Sequence, residues 1–238
     1  KLMNIHSIPR NRRPMLSYHD HNGAYQRSKI LDFLMQGRSV AFLSDAGTPL
    51  IADPGYQLVR EVISQGFRVH SLPGASALLV ALTVSGIPPD RFAFAGFIPT
   101  KRSARESLLF EFGSLPMTVI FYETPSRLRE TLSVMDRLYG SERRLAVCRE
   151  LTKKFEEVFR GTVGELKETF LAKNVKGEIV LVLEPFKSKN HNIDLIDKEL
   201  EISLKNSSVK DSVSVVAETL GLSKRLVYNR ALNLKNNT

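Results

Sequence analysis

Four segments rich in glycine, proline and polar residues carry the side chains that could do chemistry in this chain. The first is SDAGTPLIADPG (44–55), which directly follows the apolar run SVAFL and contains Asp45 and Thr48. Glycines let the backbone approach a ligand closely, and the two polar side chains can form hydrogen bonds with it. We therefore interpret this segment as a ligand-contacting loop and not as a helix or strand.

The other three segments also follow apolar runs. They are LPGASA (72–77), FYETPSR (121–127) and CRELTKKFEE (148–157). In open α/β sheets, ligands bind beyond the carboxyl ends of the strands. Since all four segments lie at expected strand ends, they predict one small-molecule pocket.

Short apolar runs rich in β-branched residues alternate with amphipathic stretches, which is typical of an α/β architecture with a largely parallel sheet. The expected strands include SVAFL (39–43), RVHSL (68–72), MTVIFYE (117–123), RLAVCRE (144–150) and GEIVLVLE (177–184), with EEVFRG (156–161) as an edge strand.

Several residues are expected to begin helices. Asp53 followed by Pro54 predicts a cap and first turn, and Ser103 with Glu106 fits a capping box. Further along, KSKNHN (187–192) reads as a polar linker, and three helical stretches follow it. The last two resemble a helix-turn-helix, for which plain packing is a more frequent role than DNA recognition.

The charge distribution favours a polyanionic partner for the main body of the chain. The net charge is +9, from 34 basic and 25 acidic residues. Residues 191–238 hold nearly equal numbers of the two signs, so the body carries almost all of the excess. We expect nucleic acid nearby, although charge by itself supports only steering and solubility.

The cysteine, histidine and hydropathy patterns argue against a disulfide-bonded, a metal-binding and a membrane-spanning protein. The single cysteine, Cys148, lies in an apolar run and is expected to be buried, and no secretory signal or membrane span is visible. A cytoplasmic location follows as the expectation. The HDH triplet (19–21) places its histidines on an extended segment without convergent partners, so we expect no metal site.

Taken together, the motifs SDAGTPLIADPGYQLV, LPGASALLVAL, FYETPSRL, RELTKKFEE and KGEIVLVLE resemble the tetrapyrrole methylase superfamily. Within it, the SDAGTP and DPG pairing resembles a branch that uses S-adenosylmethionine to methylate the 2′-oxygen of a cytidine in 16S ribosomal RNA. The resemblance implies two α/β domains (1–90 and 91–186) with the donor cleft between them, a small helical domain (193–238), and a homodimer.

The resemblance also implies which residues bind the methyl donor. They are Ala46, Gly47, Thr48, Ile51, Pro73, Gly74, Ser76, Ala77, Tyr122, Glu123, Leu151, Gly177 and Glu178.

Methyl transfer also needs a proton acceptor for the ribose hydroxyl and contacts for the RNA. Glu123, Asp45 and Lys153 are the candidate acceptors, and the pattern does not choose among them. The candidate RNA contacts are Lys101, Arg102, Arg105 and Arg127. Phe92, Phe94 and Phe97 fit either base stacking or core packing, of which packing is the commoner role.

Two alternatives stay open from the sequence. One is a relative in the same superfamily with a tetrapyrrole or other small substrate, and the other is a non-enzymatic regulator that binds nucleic acid through its C-terminal helices. Family members begin with a strand and a proline loop, whereas this sequence starts at KLMNIHSIPRNRRP. A chain lacking that segment would be expected to lack one wall of the donor site.

Overall fold

The computed structural model describes residues 2–9, 11–19, 22–173, 175–186, 193–205, 207–220 and 224–236. The predicted linker 187–192 and two residues of the HDH triplet, Asp20 and His21, lie outside these ranges. The chain divides into two compact units, Lys1–Pro185 and Phe186–Thr238. The boundary predicted at residue 90, inside the first unit, stays a prediction.

The first unit is organised around a five-stranded sheet. Its strands are β1 (Phe92–Phe97), β2 (Thr118–Glu123), β3 (Arg144–Arg149), β4 (Glu157–Thr162) and β5 (Ile179–Leu183). They lie in the order β1-β2-β5-β3-β4, so β4 is an edge strand as predicted.

The sheet is mixed, which corrects the expectation of a largely parallel one. β1 and β2 pair in parallel, whereas β2–β5, β5–β3 and β3–β4 are all antiparallel. β2 and β3 run in the same direction, as an intervening helix requires, but β5 lies between them in the opposite sense. The alternation of strands and helices along the sequence predicts which consecutive strands are connected through a helix. It does not predict which later strand is inserted between two of them, as β5 is between β2 and β3.

Apolar side chains cover both faces of the sheet. Along β2, Val119 and Phe121 join one buried cluster, and Ile120 joins the other. Cys148 of β3 belongs to the second cluster and is buried as predicted, which raises the pKa of its thiol to about 12. Burial on both faces explains why these strands read as continuous apolar runs.

Seven helices accompany the described part of this sheet unit. They are α1 (Leu2–Ile5), α2 (Gly23–Met35), α3 (Tyr56–Ser64), α4 (Ala77–Ser85), α5 (Arg102–Gly113), α6 (Leu128–Tyr139) and α7 (Val163–Leu171), and a 3₁₀ turn at Pro125–Arg127 leads into α6. Helix α4 contributes Leu78, Ala81 and Leu82 to the cluster on the second face of the sheet.

Two predicted helix starts are wrong. Helix α3 begins at Tyr56 with Gly55 as its N-cap, so Asp53 and Pro54 belong to the preceding turn. Helix α5 has Lys101 at its N-cap without a capping side chain. A complete capping box occurs instead at α7, where the Thr162 hydroxyl and the carboxylate three residues later satisfy each other's backbone N–H groups.

The strands predicted at 39–43 and 68–72 do not form, although every residue of both runs is described. A strand needs a neighbour that completes its backbone hydrogen bonds, and neither run pairs with one. Leu43 and Leu72 are correspondingly exposed, at 67% and 83%, whereas Phe42 packs against the apolar cluster of α2 and α3. The residue types of these runs favour strands, but they do not reveal whether a neighbouring strand is present to pair with.

The second unit is a three-helix arrangement, as predicted. Its helices are α8 (Ile193–Leu204), α9 (Val209–Leu220) and α10 (Lys224–Asn236). Leu200, Val216 and Val227 form the centre of its apolar core. An ion pair between Arg230 and Asp197 joins α10 to α8.

Candidate functional site

Three strand ends place their loops along one edge of the sheet, which we call the site edge. In the strand register, Glu123 at the end of β2 and Arg149 at the end of β3 both lie opposite Ile179, the first residue of β5. The end of β1 is held there too, because the Ile98 N–H donates to the Tyr122 carbonyl at 3.0 Å. The loops after β2 and β3 and the loop before β5 therefore leave the sheet side by side.

The first predicted loop contacts the second through Thr48. Its hydroxyl donates to the Ala75 carbonyl at 3.0 Å. Within the first loop, the Ser44 hydroxyl lies 2.8 Å from the Ala46 carbonyl and 3.0 Å from that of Gly47, which closes the turn. Gly47 has φ of +74°, a value that favours glycine. The two loops thus form one connected backbone surface.

Backbone strain is concentrated in the first loop. Leu50 (φ +72°) and Ala52 (φ +54°) occupy the left-handed region, which non-glycine residues seldom adopt. Gly55 has φ of +131°, and a Cβ there would lie 2.7 Å from the Phe42 ring. Strained backbone persists where surrounding structure holds it, and it is frequent at ligand sites.

The second loop leads into α4, whose N-cap is Ser76, and α4 contacts the site edge through Tyr122. Burial raises the pKa of the Tyr122 phenol, and hydrogen bonding from the Leu78 backbone opposes that shift. The Tyr122 ring lies edge-on to Phe94 and Phe97, at 4.8 and 5.3 Å between centroids. Phe94 packs against the core, whereas Phe97 is 53% exposed.

The fourth loop is bound to the start of β5 by an ionic network. The backbones of Glu150 and Glu178 are joined by a 3.0 Å hydrogen bond, and the Glu178 N–H donates to Glu150 Oε1 at 2.9 Å. Lys153 Nζ lies 2.9 Å from Glu150 Oε1 and 3.1 Å from Glu178 Oε2. The Glu178 carboxylate is also close enough to Tyr122 to raise the pKa of its phenol.

Gly177 allows this close association. Its φ is +97°, and a Cβ at this position would lie 2.5 Å from Cγ, Cδ and Oε1 of Glu150. Glu150 and Thr152 also have positive φ, and the Thr152 N–H donates to Glu156 Oε2 at 2.6 Å. The turn is therefore strained and held by its own carboxylates.

Most of the predicted donor residues lie on these connected loops. Thr48, Ser76, Tyr122, Gly177 and Glu178 take part in the contacts described above, and Leu151 packs in the same apolar cluster as Leu78 and Tyr122. The exposed residues of the set, whose surface a ligand could reach, are Ala46, Gly47, Ile51, Pro73, Gly74, Ala77, Gly177 and Glu178.

Glu123 is poorly placed to accept a proton from a substrate. Its side chain is fully buried, and Oε1 lies 2.7 Å from both the Thr124 N–H and Arg127 Nη2. Oε2 accepts from the Thr131 hydroxyl at 2.6 Å. Both oxygens are thus occupied within the protein, and the geometry gives Glu123 the task of holding the end of β2 against the start of α6.

Lys153 is also poorly suited to that task, because a lysine must lose its proton to act as a base. The hydrogen bonds from Lys153 to Glu150 and Glu178 raise its pKa and keep it cationic. Asp45 is exposed, and it lies on the first loop between Ser44 and the Ala46–Thr48 stretch. Of the two carboxylates among the three candidate acceptors, Asp45 is exposed and Glu123 is buried, and the choice of acceptor stays a prediction.

Two of the four predicted RNA contacts are structural, which is a correction. Arg105 is buried, and it binds the Thr100 carbonyl at 2.8 Å and Glu130 at 2.6 Å. Arg127 donates to the Ile98 carbonyl at 2.9 Å and pairs with buried Glu123. Their guanidinium groups therefore satisfy protein acceptors.

The other two predicted contacts, Lys101 and Arg102, lie on the surface at the start of α5. Arg102 is 74% exposed, and it forms an ion pair with Glu106 in the same helix. Sequence reasoning could not separate the four basic residues, since basic residue type carries no information about burial.

Sequence reasoning missed a cavity of about 380 Å³ in the first unit. Tyr18, Arg27 and the turn at 52–57 line it. Tyr18 and Arg27 lie well before the first loop in the sequence, so no local signal connects them with the turn at 52–57.

Neither a metal centre nor a membrane span is found in the described ranges. They contain no group of three or more His, Cys, Asp or Glu side chains that could hold a metal ion. Of the helices they contain, none is long and apolar enough to cross a bilayer.

Comparison with known proteins connects this chain to a family. A family model described as Tetrapyrrole (Corrin/Porphyrin) Methylases matches residues 11–167, and one described as RsmI C-terminal HTH domain matches residues 194–235. The crystal structure of the methyltransferase CobJ aligns with a TM-score of 0.54 at 17% identity, covering 72% of this chain and 74% of CobJ. That likeness shows the fold alone.

Sequence relatives are much more similar. Ribosomal RNA small subunit methyltransferase I of Mesorhizobium japonicum is 43% identical over 225 residues, covering 94% of this chain and 76% of the relative. The protein of the same name from Haemophilus influenzae is 40% identical, covering 93% and 80%. With most of its length matched in this way, the chain belongs to the tetrapyrrole methylase family and, within it, to the ribosomal RNA small subunit methyltransferase I group.

Proposed function

We propose that this protein methylates the ribose 2′-hydroxyl of a cytidine in 16S ribosomal RNA, with S-adenosylmethionine as the methyl donor. The observation that carries the proposal is the set of connected loops at the site edge. Thr48 joins the first loop to the second, Leu78 joins α4 to Tyr122, and Glu150 joins the fourth loop to Glu178. The relatives' names favour ribosomal RNA over a tetrapyrrole as the acceptor.

The loops fit the donor chemically. A Cβ built on Gly47 meets only the Ala75 carbonyl within 4 Å, at 3.6 Å, so the backbone there is open to a close ligand. Asp45 and Glu178 add exposed carboxylates, which suit a ligand that carries a positive charge and hydrogen-bond donors. When bound, S-adenosylmethionine supplies an electrophilic methyl group on sulfonium. The residues expected to hold it are those of the first and second loops, with Tyr122, Leu151 and Glu178.

The protein's own part in the reaction is positioning and proton removal. Rigid loops hold the ribose oxygen in line with the donor, and such orientation supplies much of the rate. Asp45 accepts the hydroxyl proton, directly or through one water. Lys153 stays protonated and keeps Glu150 and Glu178 in place.

The RNA reaches this edge over the exposed cations of α5. Lys101 and Arg102 follow the β1 end, which is bonded to β2 through Ile98 and Tyr122, so they lie near the site edge. They contact phosphates, which position the RNA without reading its sequence. The homodimer implied by the family resemblance and the cytoplasmic location expected from the cysteine content are part of the same proposal.

The decisive experiment is methyl transfer in vitro. Full-length protein is incubated with isotope-labelled S-adenosylmethionine and either purified 16S RNA or small ribosomal subunits, and nuclease digests are analysed by mass spectrometry. We expect label on the ribose of one cytidine. Label on a base, or on a different nucleoside, would contradict the proposed specificity. Failure to bind the donor in a calorimetric titration would contradict the methyltransferase function itself.

The basic pair gives a separate prediction. Replacing both Lys101 and Arg102 by alanine is expected to weaken RNA binding and to make log K less steep against log salt, by about 0.7 for each phosphate that the variant no longer neutralises. Donor affinity should be unchanged. Fluorescence anisotropy of a labelled RNA at several salt concentrations measures this slope.

Arg144→Ala is the matched control. Arg144 is exposed at the first residue of β3, opposite Thr162 and at the far end of the strand from Arg149. It should leave the salt slope unaltered. Equal slopes for the Lys101 and Arg102 double variant and the unmodified protein would show that α5 is off the RNA path.

A further inference from the structure

The cavity lined by Tyr18, Arg27 and residues 52–57 lies at the other end of the first loop from the donor contacts. The Ala46–Thr48 end faces the second loop through the Thr48–Ala75 hydrogen bond. The 52–57 end instead faces the start of α2. The two ends of the loop therefore face different parts of the unit, and the cavity lies at the second end. Its volume, about 380 Å³, is within the range of small-ligand pockets.

The cavity wall is pre-organised by contacts within the protein. Arg27 Nε donates to Glu61 Oε2 at 2.7 Å, which fixes α2 against α3. Hydrogen bonding to Tyr18 raises the pKa of the Arg27 guanidinium. The hydrogen bond to Glu61 raises it further, by a smaller amount. A Cβ on Gly23 would lie 3.1 Å from Arg27 Nη1 and 3.4 Å from the Tyr18 hydroxyl, so glycine makes room for both side chains.

The lining residues offer three kinds of contact. Tyr18 and Tyr56 are aromatic, and the Tyr56 side chain is 63% exposed and open to stacking. Arg27 supplies donors for a carbonyl oxygen, a ring nitrogen or a phosphate. Asp53 supplies a carboxylate, which accepts hydrogen bonds from an exocyclic amine. Aromatic faces beside one donor and one acceptor match an unstacked nucleobase that carries both an amine and ring acceptors.

We propose that this cavity holds the cytosine base of the nucleotide to be methylated, with Asp53 accepting from its N4 amine and Tyr56 stacking on its face. The inference rests on the proposed RNA substrate and adds the site that reads the base. Uracil would place a carbonyl oxygen against the Asp53 carboxylate, so Asp53 discriminates between the two pyrimidines. The first loop then contacts the donor through residues 46–48 and the base through residues 52–57, and the ribose lies along the loop between these two ends.

Binding of free mononucleotides tests the cavity without any methyl transfer. Cytidine 5′-monophosphate and uridine 5′-monophosphate are titrated into full-length protein and followed by NMR or calorimetry. We expect the cytidine nucleotide to bind at least about fivefold more tightly. Asp53→Asn should reduce this ratio towards one, because an amide can offer either a donor or an acceptor. Tyr56→Ala should weaken both nucleotides by about fivefold or more.

Asp32→Asn is the matched control, because Asp32 is an exposed aspartate of α2 that does not line the cavity. It should keep the nucleotide preference. Equal binding of the two nucleotides, or an unchanged ratio in Asp53→Asn, would overturn the inference. So would displacement of the cytidine nucleotide by S-adenosylhomocysteine, since the cavity would then belong to the donor.

The outcomes separate this inference from the proposed function. Ribose methylation of a cytidine together with an Asp53→Asn variant of unaltered base preference would overturn the inference alone. Selective binding of the cytidine nucleotide, without ribose methylation of RNA, would support the cavity and contradict the proposed reaction.

Discussion

Arg127→Ala is expected to lower the free energy of unfolding by about 3–5 kcal/mol, because it leaves the Glu123 carboxylate buried without a cation. The Glu123 side chain is fully buried, and Arg127 is 17% exposed. The substitution also removes the hydrogen bond from Arg127 to the Ile98 carbonyl. Urea unfolding followed by circular dichroism measures the loss.

Two further variants separate this structural role from RNA binding. Arg102→Ala removes an exposed arginine at the start of α5 and should change stability by no more than about 0.5 kcal/mol. Combining Arg127→Met with Glu123→Gln removes both charges, so part of the lost stability should return. If Arg127→Ala unfolded like the unmodified protein and lost only RNA affinity, the RNA contact expected from the sequence would be right.

Gly177→Ala is expected to disrupt the network that joins the fourth loop to β5. The new methyl group would overlap Glu150, which is held by Lys153 and by the Glu178 N–H. Alanine is also strained at φ of +97°. We expect a loss of about 1–3 kcal/mol in unfolding free energy. Displacement of Glu178 and its neighbours should slow methyl transfer by up to about 100-fold.

Gly66→Ala provides the comparison for backbone strain alone. Gly66 has φ of +81°, and a Cβ there would meet nothing within 4 Å. It should cost stability through its backbone conformation and leave donor affinity and methyl transfer unaffected. Equal effects of the two substitutions on transfer would show that crowding against Glu150 is unimportant.

Much of the fold could be predicted from the sequence, because apolar periodicity and turn residues are local signals. The runs that form β2, β3 and β5 are predictable in this way, as are the edge position of β4 and the three C-terminal helices. The direction of β5 is not, since it depends on a long-range pairing. The predictions at 39–43 and 68–72 failed for the same reason.

The candidate site could be predicted only in part. The composition of each loop identifies it as a candidate ligand-contacting segment. The Thr48–Ala75 and Leu78–Tyr122 contacts then show that loops identified separately are joined in the structure. The roles of individual residues are harder to predict. The neighbours of a charged side chain in the folded structure decide whether it binds another protein group or can contact a ligand. Glu123, Arg105 and Arg127 all satisfy protein groups, whereas Asp45, Lys101 and Arg102 are exposed.

The position of β5 affects how the chain acquires its structure during synthesis. Among the strands of the described ranges, β5 is the last to be synthesised, yet it lies at the centre of the sheet between β2 and β3. Until Leu183 has emerged, the nascent chain holds two half-sheets with open hydrogen-bonding edges and an incomplete core. Such edges favour association with other chains. We therefore expect the five-stranded sheet to close only after β5 has been synthesised, and the open edges of β2 and β3 to favour association with other chains until then.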